Sequence, residues 1–220
     1  MTIILTVLKT GQWHNGHFPC DYRPQHVRWL AEQFKVHAPN VRFACLSNVD
    51  IDGVEVIKLK YNWPGWWSKM ELFREDFGKV FYVDLDTVIV GNLTTILNYD
   101  HQFTTWAQPR KVHHLQSGIM AWTGFRADIF DVFVKDPEYW MEKCACPECW
   151  GDQGFIAKHL KTDWDEFNQL FPKTIQSYKL DLNRKEPTSD VKIVTFHGKP
   201  KPWDVYKDHK FIPSFAKYEI

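Results

Sequence analysis

No run of apolar residues in this 220-residue chain approaches the ~18 that a membrane-spanning helix needs. The first residues, Met1-Thr2-Ile3-Ile4-Leu5-Thr6-Val7-Leu8, lack a charged leader and hold only a short apolar run. They read as a first core strand, not a signal peptide. Charge of one sign is also missing: Lys+Arg and Asp+Glu stand at 27 each. That balance speaks against a nucleic-acid partner or a broad anionic-membrane surface. No internal repeat or low-complexity linker interrupts the chain. The cysteine count is five, an odd number that argues against a complete disulfide framework. A reducing, cytoplasmic setting is the expectation. No basic or amphipathic tail that could dock the protein to a membrane is expected after the Lys-Pro-Trp element near Ile220.

Tryptophan is the residue in excess, with 11 copies. Its flat apolar face and single donor suit sugar rings as well as a packed core. The hydrophobic fraction of 44% and charged fraction of 25% are those of an ordinary globular protein. The length predicts one domain, residues 1–220, built from two packed halves of about 1–92 and 93–220.

Over the first ~90 residues, strand and helix patterns alternate. Strands are predicted at Ile3–Leu8, Val41–Leu46, Val54–Leu59 and Val80–Val83. A helix is predicted at Gln25–His37, where Val27, Leu30, Ala31 and Phe34 share one face. A second is predicted at Ser68–Phe77, with Ser68 as N-cap and Glu71 at the capping-box position. Later strands are expected at Phe103–Ala107, Ile119–Trp122 and Val191–Phe196, and later helices at Arg126–Val134 and Asp152–Leu160. The fold class is therefore α/β, with a mostly parallel central sheet flanked by helices. Ligands of such sheets bind beyond the carboxyl ends of the strands.

The segment Lys79-Val80-Phe81-Tyr82-Val83-Asp84-Leu85-Asp86-Thr87 carries a buried apolar run to such an end. In extended backbone, residues i and i+2 face the same way, roughly 6.5 Å apart. That reach suits a divalent cation shared with phosphate oxygens. Two other Asp-x-Asp tripeptides, Asp50/Asp52 and Asp163/Asp165, read as a turn and as a solvent-facing stretch. A neutral imidazole at His197 could be a third metal ligand. Gly198 lets backbone approach phosphate, and Lys201 offers it a point charge.

These pieces together resemble the retaining glycosyltransferases of family 8, the group that contains glycogenin and bacterial galactosyltransferases. In that family a Lys-bearing helix precedes a strand ending in D-x-D, as Trp67-Ser68-Lys69-Met70 precedes Asp84-Leu85-Asp86 here. A strand opening N-[AS]-G corresponds to Gln116-Ser117-Gly118, with Gln in place of Asn. An Asp-Gln pair opening a helix corresponds to Asp152-Gln153. The final H-x-x-G-x-x-K-P-W element corresponds to Gly198-Lys199-Pro200-Lys201-Pro202-Trp203, with His197 directly before the glycine. The resemblance spans about residues 65–203, and its specificity lies in the order of four short motifs.

The resemblance implies a GT-A fold and a nucleotide-sugar donor, most often UDP-linked, with Mn²⁺ or Mg²⁺. It implies that Asp84, Asp86 and His197 hold the metal, and that Lys69, Gly198 and Lys201 contact the donor's sugar or diphosphate. Asp84 would serve metal and donor alike. Asp152 would hydrogen-bond the donor sugar, and Gln153 would lie near the anomeric carbon. The acceptor would be a glycan, glycoprotein or glycolipid. Rival readings are a nucleotidyltransferase acting on sugar phosphates and a non-catalytic carbohydrate-binding protein. The first lacks its Gly-rich phosphate loop, since Lys9-Thr10-Gly11 is a poor match. The second leaves the paired carboxylates and the Lys-Pro-Trp loop without a task.

Three further features stand outside this scheme. Cys144, Cys146 and Cys149 crowd six residues, and could be a zinc site with His159, an internal disulfide, or loop thiols; loop thiols are the expectation. Tyr61–Trp67 could be an acceptor-stacking wall, a lid or a plug beneath the sheet. His113 and His114, adjacent in sequence, read as loop residues near the cleft.

Overall fold

A computed structural model describes residues 1–11, 22–107 and 115–218. The pair His113-His114 and Cys20 lie outside the described residues. β1 (Thr2–Leu8) is followed by α1 (Pro24–His37), β2 (Arg42–Ser47) and β3 (Glu55–Lys58). Pro24 opens α1 at a position where no backbone donor is needed, and the Arg23 N–H donates to His26 Nδ1 at 2.9 Å. After a 3₁₀ helix at Gly65–Phe73 come β4 (Lys79–Val83), β5 (Thr87–Ile89), α2 (Thr94–Asn98), β6 (Phe103–Ala107) and β7 (Leu115–Thr123).

The remaining helices and strands are short. α3 (Ala127–Phe133) and α4 (Pro137–Lys143) precede a two-strand hairpin of β8 (Ala145–Cys146) and β9 (Cys149–Trp150). Asp136 caps α4 by accepting the Tyr139 N–H at 3.1 Å. Then come α5 (Gly151–His159), β10 (Asp165–Glu166), α6 (Phe167–Leu170), β11 (Ile175–Ser177), β12 (Ile193–Thr195) and α7 (Pro202–Val205). No helix among the described residues is long and apolar enough to cross a membrane.

The main sheet has seven strands in the order β10-β6-β7-β4-β1-β2-β3. The pairings of β1 with β2 and β4, of β2 with β3, and of β10 with β6 are parallel. β7 runs antiparallel between β4 and β6. Side chains alternate between two cores, as the two-residue period of a strand requires. Ile3, Leu5, Val80, Tyr82, Met120 and Trp122 face the 3₁₀ helix, α3 and α5. Ile4, Phe81, Val83, Ile119 and Ala121 face α1 and α6.

A smaller sheet, β11-β12-β5, leaves the main one just past Asp86. Its antiparallel register sets Thr195 opposite Thr87. Continuing that ladder outward brings His197 to the Leu85–Asp86 turn. Here the backbone departs from the extended pair expected of Asp84 and Asp86, because the chain turns at Leu85–Asp86 between β4 and β5. Asp50/Asp52 does form an exposed turn, with Gly53 at φ 72°, and Asp163 and Asp165 are exposed.

Three local expectations are corrected. The helix expected at Ser68–Phe77 is 3₁₀, begins at Gly65 and has Pro64 at its N-cap, not Ser68. Glu71 is not a capping-box residue there. Its fully buried carboxylate accepts the Lys60 and Tyr61 N–H groups at 2.6 and 2.9 Å and pairs with Arg74. Tertiary contacts outweigh the local capping signal because the carboxylate satisfies two backbone donors from another segment. Cys144 and Cys149 are joined by a disulfide, which removes them from both the zinc reading and the free-thiol expectation; Cys146 remains a thiol.

The aromatic segment is largely a plug. Trp63 and Trp67 are buried against Phe133, with ring centroids 4.8 and 5.3 Å away, and Tyr61 stacks on Trp63. Glu71 ties the entry to this plug, so Glu71→Ala should leave the Lys60 and Tyr61 N–H groups without their acceptor, leave Arg74 with Glu75 and the Lys58 carbonyl, and lower unfolding free energy by about 1–3 kcal/mol. Urea denaturation measures it, and a loss below about 1 kcal/mol, the scale of an exposed ion pair, would contradict this role.

Candidate active site

Lys69 ends in a buried ammonium. It lies on the 3₁₀ helix with a side chain only 9% exposed. Its Nζ is 2.7 Å from Asp152 Oδ2, 3.4 Å from Asp84 Oδ1 and 3.1 Å from Ser117 Oγ. Four separate elements thus meet on one charge. Asp84 arrives from the end of β4, Ser117 from the start of antiparallel β7, and Asp152 from the first turn of α5. Burial disfavours the charged form of Lys69, but Asp152 and Asp84 overcome it and hold the ammonium above its usual range.

Asp84 keeps the face of Tyr82, two residues back, and accepts its hydroxyl at 2.5 Å. The Asp84 N–H donates to Gly118 O at 2.8 Å. Gly118 gives the carboxylate room, since a Cβ there would sit 3.2 Å from Asp84 Oδ2. Burial raises the Asp84 carboxyl, Lys69 opposes the rise, and nearby Asp86 adds to it. Burial likewise drives the Tyr82 hydroxyl well above its ordinary value, so it stays a donor.

α5 is held against the disulfide hairpin. The Gly151 N–H donates to Cys144 O at 2.7 Å, and a Cβ on Gly154 would approach the Cys149 carbonyl carbon to 2.7 Å. Asp152 is buried, and its acidic side chain in the first helical turn suits the local dipole. Gln153 follows on the same turn, half-buried.

The second cluster forms around Asp86. Its carboxylate pairs with the Lys201 ammonium, which also donates to Tyr22 Oη at 3.1 Å. Pro202 begins α7 directly after Lys201, and Asp204 accepts the Lys201 N–H at 2.8 Å. Trp203 packs its ring against His26 with centroids 4.2 Å apart and also contacts Tyr22, Trp29 and Phe215. The Lys-Pro-Trp sequence therefore works as a helix start and an aromatic anchor that fix the ammonium between them.

His197 Nε2 is 2.8 Å from Ser177 Oγ. Burial lowers its pKa, and Lys179 and Lys201 lower it further, so the ring is neutral at neutral pH. Gly198 has φ 68°, a conformation open to glycine.

The structure brings Lys69, Asp84 and Asp152 together, and separately Asp86 and Lys201. Asp84, Asp86 and His197 have the chemistry of a cation's donor set: two carboxylates and a neutral imidazole. They are not gathered into a coordination sphere, and among the described residues no three His, Cys, Asp or Glu side chains form one. Both carboxylates are instead neutralised by lysines. Binding a divalent ion there requires Lys201 to leave Asp86.

No family model matches this sequence, and no curated protein matches it. Solved structures do. The galactosyltransferase LgtC, as an active-site mutant with Glu in place of Gln, superposes with a TM-score of 0.61 at 13% identity, over 98% of this chain and 92% of LgtC. LgtC in complex with donor and acceptor sugar analogs gives 0.59 at 13% identity. The glycosyltransferase GlyE from Streptococcus pneumoniae TIGR4 gives 0.56 at 11% identity, over 92% of this chain and 56% of GlyE. The chain thus spans nearly all of LgtC and about half of GlyE. It has the GT-A glycosyltransferase fold. At these identities the likeness concerns the fold alone.

Within the GT-A fold, three site groups were not singled out from the sequence. Tyr82 was legible as the residue two before Asp84 on the same face. Ser117 was visible only as part of the strand motif. Lys179, between β11 and β12, carried no signal; its Nζ donates to Lys199 O at 2.9 Å, beside Gly198.

Replacing Lys69 by Met should strand two carboxylates and cost about 3–5 kcal/mol of stability. Asp152→Leu in the same chain should restore part of it, giving a coupling of at least about 1 kcal/mol in a double-mutant cycle by chemical denaturation. Additive losses would dissolve the pair.

Proposed function

We propose that this protein is a metal-dependent glycosyltransferase that moves a sugar from a nucleotide diphosphate donor, UDP-linked, to an acceptor hydroxyl with retention. The acceptor is a glycan, glycoprotein or glycolipid. The observation that carries the reading is the meeting of Lys69, Asp84, Ser117 and Asp152 beyond the carboxyl end of β4 in a GT-A fold. That is where an open α/β sheet takes its ligands. The complex of LgtC with donor and acceptor sugar analogs supports it. We read residues 1–92 as the nucleotide-binding half and 93–220 as the acceptor and catalytic half. A cytoplasmic location is our reading from the odd cysteine count, and the Cys144–Cys149 disulfide weighs against it.

Asp152, paired with Lys69, accepts hydrogen bonds from hydroxyls of the donor sugar and fixes its orientation. Lys69 and Lys201 stabilise the negative charge that develops on the diphosphate when the bond between anomeric carbon and phosphate oxygen breaks. A divalent cation, Mn²⁺ or Mg²⁺, held by Asp84, Asp86 and His197, would neutralise the same leaving group. Gly198 allows its loop to approach the phosphates. Gln153 is neutral and a poor nucleophile, so it serves as a polar neighbour of the oxocarbenium-like centre. The acceptor oxygen then attacks on the face the diphosphate leaves, and its proton passes to the departing phosphate oxygen.

UDP with Mn²⁺ should raise the melting temperature more than UDP alone; at a hundredfold excess over Kd, binding adds about 2.7 kcal/mol. No shift with either would count against a nucleotide donor. Asp86→Asn should abolish transfer and the metal-dependent part of donor binding while preserving the fold, and near-normal turnover would remove Asp86 from the metal site. Gln153→Ala should lower kcat by about 10²-fold or more with KM for the donor little changed. An equal loss in KM would make Gln153 a binding residue.

A further inference from the structure

Two lysines, Lys69 and Lys201, pair with the carboxylates at the β4–β5 turn, and a third, Lys179, lies beside the loop that carries Lys201. Lys69 ends between Asp152 and Asp84, and Lys201 on Asp86. Their charge is committed to the protein. Lys179 ends on a neutral acceptor, the Lys199 carbonyl, at 2.9 Å. It is half-buried, and its stem comes from the turn after β11, where Ser177 also meets His197. Its Nζ lies 3.3 Å from the point a Cβ on Gly198 would occupy. Lys201 and Arg184 add positive charge nearby, and Asp86 adds negative charge.

We propose that Lys179 is a phosphate-binding residue of the donor site, the cation that grips the diphosphate of the nucleotide sugar on arrival. The inference rests on the reading of this site as a nucleotide-diphosphate site. A phosphate oxygen offers Lys179 what the Lys199 carbonyl does not, a full negative charge, and charge-assisted hydrogen bonds are about twice as strong as neutral ones. Gly198 leaves room beside it, since a Cβ there would come within 3.3 Å of the ammonium. The charge of Lys201 is already answered by Asp86.

The experiment is calorimetric binding of UDP and of uridine to the wild type, Lys179→Met, Lys179→Gln, Lys179→Arg and a distant control, Lys207→Met. Lys179→Met should raise the Kd for UDP about 10- to 100-fold, the loss expected for one hydrogen bond to a charged group. Uridine, which has no phosphate, should bind all variants alike. Lys179→Arg should recover most of the affinity, and Lys207→Met should lose none. Lys179→Gln is closer in shape and should repeat the Lys179→Met result should that variant fold poorly. A wild type that binds UDP, with Lys179→Met and Lys179→Gln binding it equally well, overturns the role of Lys179 and leaves the donor reading intact. A wild type that binds no UDP overturns the donor reading, and this inference with it.

Discussion

A buried ammonium determines how this site is built. Moving Lys69 out of water is unfavourable unless several acceptors surround it, and Asp152, Asp84 and Ser117 do so from three different elements. Each carboxylate is in turn costly to bury without that ammonium. The 3₁₀ helix, β4, β7 and α5 are therefore locked in one arrangement by electrostatics as well as by the apolar packing of Trp67, Phe133 and Phe155 behind them. Loss of Lys69 leaves two carboxylates without their cation, so the site and the stability of its surroundings cannot be varied independently.

The second cluster follows different rules. Lys201, Asp86, Lys179 and His197 are held by short strands and by a loop whose backbone has few regular hydrogen bonds. Its rigidity comes from Trp203, which is set among His26, Trp29 and Phe215, and from Pro202 at the start of α7. Aromatic packing here does what ladder hydrogen bonding does for β4. With Lys201 paired to Asp86, the ammonium of Lys179 leaves this side of the cleft net positive, whereas the Lys69 side sets one ammonium against two carboxylates, Asp84 and Asp152. A polyanion approaching the cleft is drawn to the loop side first.

Much of the scaffold was legible in the sequence, because alternating and helical apolar periods survive wherever two faces are buried. β6 falls on the predicted residues, and β1, β2, β3 and α1 fall within one or two. Local rules failed where long-range contacts decided the outcome. Glu71 looked like a capping residue and became a buried acceptor for Lys60 and Tyr61. Cys144 and Cys149 looked like loop thiols until the β8–β9 hairpin brought them together. The acidic pair was found from its buried strand, yet the turn at Leu85 was not, since nothing in Asp84-Leu85-Asp86 marks a change of direction. Lys179 was invisible for a similar reason: only the pairing of β11 with β12 carries it to the glycine.

That turn at Leu85 has a mechanical consequence. Asp84 closes the last turn of the large sheet's β4, and Asp86 opens β5, which belongs to the small sheet. Leu85, buried among Val83, Ile119 and Phe167, is the pivot between them. The distance separating the two carboxylates is thus a gauge of the angle between two sheets. Any change in how the small sheet is set against the large one moves one carboxylate relative to the other.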